Sequence, residues 1–172
     1  MNQRRIITTA IYESPAGSLR LGEFEGQLCL CDWTETPRHA RLLALLEQTL
    51  GATVVSGTTP CLETARGQLD QYFARKRRLF SIPLRLSGTD FQKQVWETLL
   101  TIPCGATESY LGIARRMQKP SAVRAVAGAV GSNPLSIIIP CHRIIAADGS
   151  LTGYRGGLEA KRILLHLENQ TH

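Results

Sequence analysis

The hydrophobic period of this chain changes at Gly88, and that change constrains the fold more than any other feature. Ahead of it, IITTAIYES, SLRLGEFE and QLCLCDW are strand-like runs, separated by the turns Ser14-Pro15-Ala16-Gly17 and Glu25-Gly26. They predict a small antiparallel meander. Pro37 opens a helical segment, RHARLLALLEQTL, that ends at Gly51. A second helix is expected from Leu62 to Lys76, with Leu62, Leu69, Tyr72 and Phe73 on or near one face. LFSIPLRL follows as an extended connector. Residues 1–88 therefore make an α/β domain, an antiparallel sheet with helices.

Residues 89–172 form a mostly α domain. Thr89-Asp90-Phe91-Gln92 has the capping-box pattern, and Phe91, Val95, Leu99 and Leu100 recur at helical spacing until Pro103 stops the helix. A short helix is expected from about Ser109 to Met117. After the break Gln118-Lys119-Pro120, another runs from Ser121, its N-cap, to about Gly131. Two short helices in this order predict a helix-turn-helix. A buried strand is expected over Leu135 to Ile139, a hairpin around Asp148-Gly149, and a final helix over Leu158 to Glu168 whose apolar side is Ala160, Ile163, Leu164 and Leu167.

Composition narrows the function class. Of the 172 residues, 43% are hydrophobic and 20% charged, as in ordinary soluble globular proteins. No apolar run reaches the ~18 residues of a membrane span, and MNQRRIITTAIYESP is a poor secretory signal. We expect a cytoplasmic protein with no membrane partner. Five irregularly spaced cysteines give no disulfide framework, and Cys29-x-Cys31 has no matching Cys/His pair downstream, so no zinc site is expected. The net charge of +6 permits a polyanionic partner. Between Lys93 and Arg143, six basic residues face two acidic ones, whereas RKRR at 75–78 is the pattern of a solvated helix end.

The segment SAVRAVAGAVG has an unusual wheel. At about 100° per residue, Val123, Val126 and Val130 cluster with Ala127 beside them as a core face. The opposite half carries Ala122, Arg124, Ala125, Gly128, Ala129 and Gly131, all tiny except one arginine. Close packing against another element would select such residues. So would approach to a narrow DNA minor groove, about 6 Å wide, with Arg124 as a single probe that could fill the stack where a base has been flipped out.

Three Pro-Cys pairs occur, but only Cys141 is followed by His142 and Arg143. Pro140 cannot donate to a ladder, so it ends the expected strand and sets Cys141 at a loop mouth. Adjacent positive charge favours the thiolate, the reactive form. A carboxylate orienting His142 would complete a triad, and Asp148, Glu159 and Glu168 are all candidates by spacing.

FQKQVW, TIPCG, SYLGIA, RAVAGAVGSNP, PCHRII, GSLTGYRGG and LLHLE, in this order, resemble the O6-alkylguanine-DNA alkyltransferases, suicide repair proteins of alkylated DNA. The resemblance covers the second half of the chain. It implies a ribonuclease H-like first domain and a winged-helix-like second one. It also implies that Cys141 accepts the alkyl group, that His142 is the base acting through water, and that Glu168 holds His142. Tyr110 resembles the tyrosine that assists the departing guanine. Arg124 resembles the arginine finger, on a DNA-facing helix start and face that would include Ser121, Ala122, Ala125 and Ala129. Asn133 resembles the hinge residue, while Ile144, Tyr154 and Arg155 fall where the base pocket and its closing loop lie. This sequence departs from the family at Leu111 and Ala127, where glycine is usual.

The expected activity is a stoichiometric, irreversible transfer from O6-alkylguanine, and by extension O4-alkylthymine, in double-stranded DNA to the protein's own cysteine. The expected form is a monomer without cofactor, nucleoid-associated when on DNA. Two alternatives are a catalytically silent lesion-binding relative and a Cys-His hydrolase. A plain helix-turn-helix repressor would leave PCHR unexplained and should present polar base-reading side chains.

Overall fold

β1 (Ile6–Ser14), β2 (Gly17–Phe24) and β3 (Gln27–Trp33) form the expected antiparallel meander. The computed structural model describes residues 5–169. The β2–β3 turn places Glu25 and Gly26 at φ +52° and +81°, two left-handed residues of the kind that match the twist of a tight hairpin. A fourth strand, β4 (Thr53–Ser56), pairs parallel to β1, so the sheet is mixed, in the order β3-β2-β1-β4. Sequence pattern missed β4 because TVVS is only four residues long and finds its partner across more than forty residues.

Two helices cover the sheet. α1 (His39–Leu50) ends at Gly51 in the left-handed region and packs Leu42, Leu46 and Leu50 against Ile7, Phe24 and Leu30. α2 (Pro60–Phe73) is capped by the Thr59 hydroxyl and starts two residues earlier than expected. Tyr12, of opposite parity to Ile7 on β1, donates to Asp70 of α2 at 2.6 Å. The connector near Leu84 lies along β3: Leu28 N–H donates to the Pro83 carbonyl (2.8 Å), and Arg85 N–H to the Leu28 carbonyl (2.9 Å). That pairing closes an otherwise open sheet edge, which is why β3 is buried along nearly its whole length.

The chain divides after Ser87 into two compact units. The second opens with α3 (Asp90–Leu99), whose capping box is fully formed by Thr89 and Gln92. Trp96, rather than Leu100, completes its buried side; Leu100 stays exposed. α4 (Tyr110–Arg116) and α5 (Val123–Gly131) follow, joined by residues 117–122. A Lys119-to-Ala122 turn leads into α5 (Ala122 N–H to the Lys119 carbonyl, 2.9 Å), so Ala122 takes the N-cap position and exposed Ser121 lies outside the helix. The expectation that Ser121 caps α5 is corrected accordingly.

Two further expectations change. Leu135 to Ile139 is buried but is not a strand. It is a tight turn in which Ile139 N–H reaches back to the Leu135 carbonyl and Ile138 N–H to the Ser136 carbonyl, both at 2.8 Å. Ile137 sits at φ +72°, a strained setting for a β-branched residue. The Asn133 side chain holds this turn, accepting from Leu135 N–H and donating to the Ile139 carbonyl, both at 2.9 Å. Branched residues here serve burial, and no strand ladder accompanies them. Around Asp148-Gly149 the chain makes a turn without flanking named strands. The last helix is α6 (Leu158–Asn169).

Gly88 has no left-handed requirement, but a Cβ there would lie 2.6 Å from Trp96 Cη2 and 2.7 Å from Gln92 Oε1. Trp96 cannot retreat, since it is buried and its indole N–H donates to the Ala129 carbonyl at 2.9 Å. Gly88→Ala should therefore cost about 1–3 kcal/mol by overpacking. Urea denaturation should show a lowered midpoint; an unchanged midpoint would contradict this account of the α3 entry.

Candidate active site

Cys141 opens a single 3-10 turn, Cys141–Arg143, directly after the Asn133-braced turn. Cys141 N–H donates to the Ile139 carbonyl at 2.8 Å, so the sulfur's position follows from the strained turn before it. The expected loop mouth is nearly closed: Cys141 is only 4% exposed. His142 and Arg143 are buried with it, and the Arg143 carbonyl and the Ile145 N–H tie the turn to Glu108, just ahead of α4 (Glu108 N–H to the Arg143 carbonyl, 3.0 Å; Ile145 N–H to the Glu108 carbonyl, 2.9 Å).

α6 supplies the counter-charges. Lys161, Leu164 and Glu168 follow i, i+3, i+7 spacing, so all three face inward with the apolar stripe. The structure selects Glu168 from the three carboxylates allowed by spacing: its Oε2 lies 2.7 Å from His142 Nε2. Arg143 grips the same carboxylate, Nε to Oε1 at 2.8 Å and Nη2 to Oε2 at 3.0 Å, and anchors to the Ile102 carbonyl through Nη1 at 2.7 Å. Asp148 instead accepts from Ser150, and Glu159 pairs loosely with Arg162.

Electrostatics fix the protonation states. Burial alone would push the Glu168 carboxyl up, but the His142 hydrogen bond, with the hydrogen bonds and charge of Arg143, holds it well below the usual carboxylate range. Glu168 is thus an anionic acceptor, and His142 Nε2 carries the proton. Burial, with the Arg143 and Lys161 charges, lowers the His142 pKa despite Glu168. A neutral imidazole results, whose Nδ1 presents a lone pair and has no hydrogen-bond partner among the described residues. Burial raises the Cys141 thiol pKa, opposed by the Asn133 side chain, the Lys161 charge, the backbone and Arg155. No hydrogen bond among the described residues joins the Cys141 sulfur directly to the His142 ring.

The surrounding residues divide into two groups. Tyr154 sets its ring edge-on to His142, centroids 6.5 Å apart, and Arg155 lies close enough to bias the thiol. The Tyr110 hydroxyl is 3.1 Å from the Thr152 hydroxyl of the same loop. Arg124, Ala125 and Ser121 are exposed and Ala122 half-buried, all at or near the start of α5, with no hydrogen bond to this cluster. Ala129 does not join them. It is 3% exposed, because Trp96 packs against its carbonyl, so the bare face of α5 is narrower than the wheel implies.

Sequence reasoning missed Lys161, whose ammonium donates to the Ile144 carbonyl at 2.5 Å and the Thr152 carbonyl at 3.3 Å. It also treated Arg143 only as a nearby charge. The signal for Lys161 was its place on the inward stripe of α6. Among the described residues, no group of three or more His, Cys, Asp or Glu side chains could hold a metal, and no helix is long and apolar enough to cross a membrane.

Both units match known families. Residues 7–86 match the family model described as 6-O-methylguanine DNA methyltransferase, ribonuclease-like domain, and residues 90–170 that of the DNA binding domain of the same proteins. The inducible methylated-DNA–protein-cysteine methyltransferase of Bacillus subtilis is 50% identical over 109 residues, 63% of this chain and 61% of that protein, so the alignment spans less than two thirds of that relative. The Mycobacterium bovis methylated-DNA–protein-cysteine methyltransferase is 49% identical over 128 residues, 73% of this chain and 78% of that one. A crystal structure of Mycobacterium tuberculosis O6-methylguanine methyltransferase superposes with TM-score 0.80 and 41% identity, covering 95% of this chain and 93% of that one. The same mycobacterial protein in complex with DNA gives TM-score 0.79, 41% identity and coverage of 95% and 92%. With both domains matched and close relatives spanning most of its length, this chain belongs to the methylated-DNA–protein-cysteine methyltransferase family.

Proposed function

We propose that this protein repairs alkylated DNA by direct reversal, binding the duplex as a monomer and moving the alkyl group from O6 of guanine to Cys141. The observation that carries the reading is the buried sequence Cys141, His142, Glu168, with the carboxylate held anionic by Arg143. A buried thiol needs a base, and His142 Nδ1 is the available one. Because no direct sulfur–imidazole hydrogen bond forms, the proton passes from Cys141 to Nδ1 through a bridging water. Glu168 then stabilises the imidazolium, as a buried carboxylate does in other triads.

The thiolate attacks the saturated alkyl carbon, a sulfur–carbon bond forms, and the carbon–O6 bond breaks. The departing guanine anion takes a proton or hydrogen bond from the Tyr110 hydroxyl. Lys161 favours the thiolate by its charge, and Asn133 positions the sulfur by fixing the turn. A thioether remains, and none of these groups can hydrolyse it, so each molecule acts once. Reaching the base requires flipping it from the stack. The exposed start of α5, small except for Arg124, suits minor-groove entry with the arginine filling the vacated space. O4-alkylthymine presents a comparable alkylated oxygen and falls within the same proposal. A peptide hydrolase is less consistent with a sulfur so closed to solvent.

Two outcomes follow. Cys141→Ala should abolish transfer from a methylated duplex while retaining DNA affinity, measured by single-turnover assay and mobility shift; transfer by the variant would refute the assignment. Glu168→Gln should lose about 3–5 kcal/mol at neutral pH, since Arg143 is left as an uncompensated buried charge. The Glu168 pKa is depressed on folding, so its stabilisation is present above the unfolded carboxylate value, about 4.3, and fades as pH falls through the lower folded value. Stability of the native protein should therefore drop on acidification more steeply than that of the variant; parallel pH profiles would contradict this.

A further inference from the structure

The turn that ends α2 carries Arg75, Lys76, Arg77 and Arg78 in succession. Its backbone has the geometry that usually closes on glycine: Lys76 N–H donates to the Gln71 carbonyl (2.8 Å), Arg75 N–H to the Tyr72 carbonyl (3.0 Å), and Arg75 is left-handed at φ +60°. An arginine in that setting gives up the conformational ease of glycine. A helix C-terminus favours cations through its dipole only within its last turn, and these four successive cations lie beyond the end of α2.

The local charge balance is as uneven. Between Asp70 and Asp90 the chain holds five basic residues and no acidic one. Of the five, Arg85 pairs with Glu25. Arg77 spends its hydrogen bonds on neutral acceptors, Gln71 Oε1 at 2.7 Å and the Leu79 carbonyl at 2.8 Å, which braces the turn without cancelling its charge. Arg75, Lys76 and Arg78 are exposed, and the side chains of Arg75 and Lys76 make no hydrogen bond or ion pair among the described residues. The result is a braced, concentrated positive surface on the first unit.

We infer that this turn is a second contact for duplex DNA, engaging backbone phosphates without reading sequence. The inference rests on the repair reading above and adds a DNA-binding role for the first unit. Regularly spaced phosphates are the polyanion a short run of exposed cations complements, and each neutralised phosphate releases a counterion. The contact would raise affinity for any duplex, damaged or not, and would leave the chemistry at Cys141 unchanged.

The test compares the native protein with R75Q/K76Q/R78Q in duplex binding across a salt series. The logarithm of affinity against the logarithm of salt concentration should become shallower by about two to three, with affinity at ~0.1 M salt falling on the order of tenfold to a hundredfold. R75K/R78K, which keeps the charge, should keep the native slope. Alkyl transfer from the free O6-alkylguanine base should proceed at the native rate in both variants. Should the triple variant fail to fold, K76Q alone should flatten the slope by about one. A native slope in the neutralised variants, or a change seen with single-stranded RNA and not with duplex DNA, overturns the inference. Failure of the native protein to transfer alkyl groups from methylated duplex would instead sink the repair reading, whatever the salt slope.

Discussion

The Glu168 carboxylate accepts from His142 Nε2 and twice from the Arg143 guanidinium in a space nearly closed to water. A lone buried carboxylate would be costly and would neutralise itself by taking up a proton. Here the bidentate arginine keeps it ionised, and Arg143 is itself held by the Ile102 carbonyl. One ion pair therefore joins α6, the Cys141 turn and the end of α3's connection. It also sets the imidazole tautomer, leaving Nδ1 as the nitrogen with the available lone pair. Remove the carboxylate and both the packing of α6 and the basicity of His142 Nδ1 lose their common support.

The second constraint is backbone strain. Ile137 in the left-handed region persists because its surroundings over-determine it: the Asn133 amide clamps both ends of the turn and the side chains on it are buried. A regular strand would space the following residues evenly. The tight turn instead brings Cys141 N–H onto the Ile139 carbonyl and starts the 3-10 turn that carries sulfur, imidazole and guanidinium in three successive residues. Such rigidity suits the role proposed for Cys141, a nucleophile meeting a saturated carbon in line.

Much of this was legible in the sequence, and the exceptions share a physical cause. The meander, the α3 capping box and α6 rest on local period and local caps, which the sequence displays directly. β4 and the true form of residues 135–139 depend on distant partners. TVVS is too short to signal itself, and LSIII has strand composition but finds an asparagine clamp in place of a ladder. Ala129 faced the wrong way on the wheel because a nine-residue helix packed on more than one side has no single buried stripe. In the site, Cys141 and His142 stood out by adjacency, while spacing could not choose among three carboxylates. Lys161 was hidden because a charged residue on an apolar stripe reads as solvated, unless backbone carbonyls wait for it inside.

The central claim is that this buried arrangement delivers one alkyl group, once, to one sulfur. Intact-mass and peptide analysis after incubation with a large excess of O6-methylguanine duplex tests it most directly. The account predicts a single added methyl per molecule, confined to the peptide containing Cys141, with repair stopping at one equivalent. Methylation at another cysteine, or repair continuing through many equivalents with Cys141 unmodified, would contradict it.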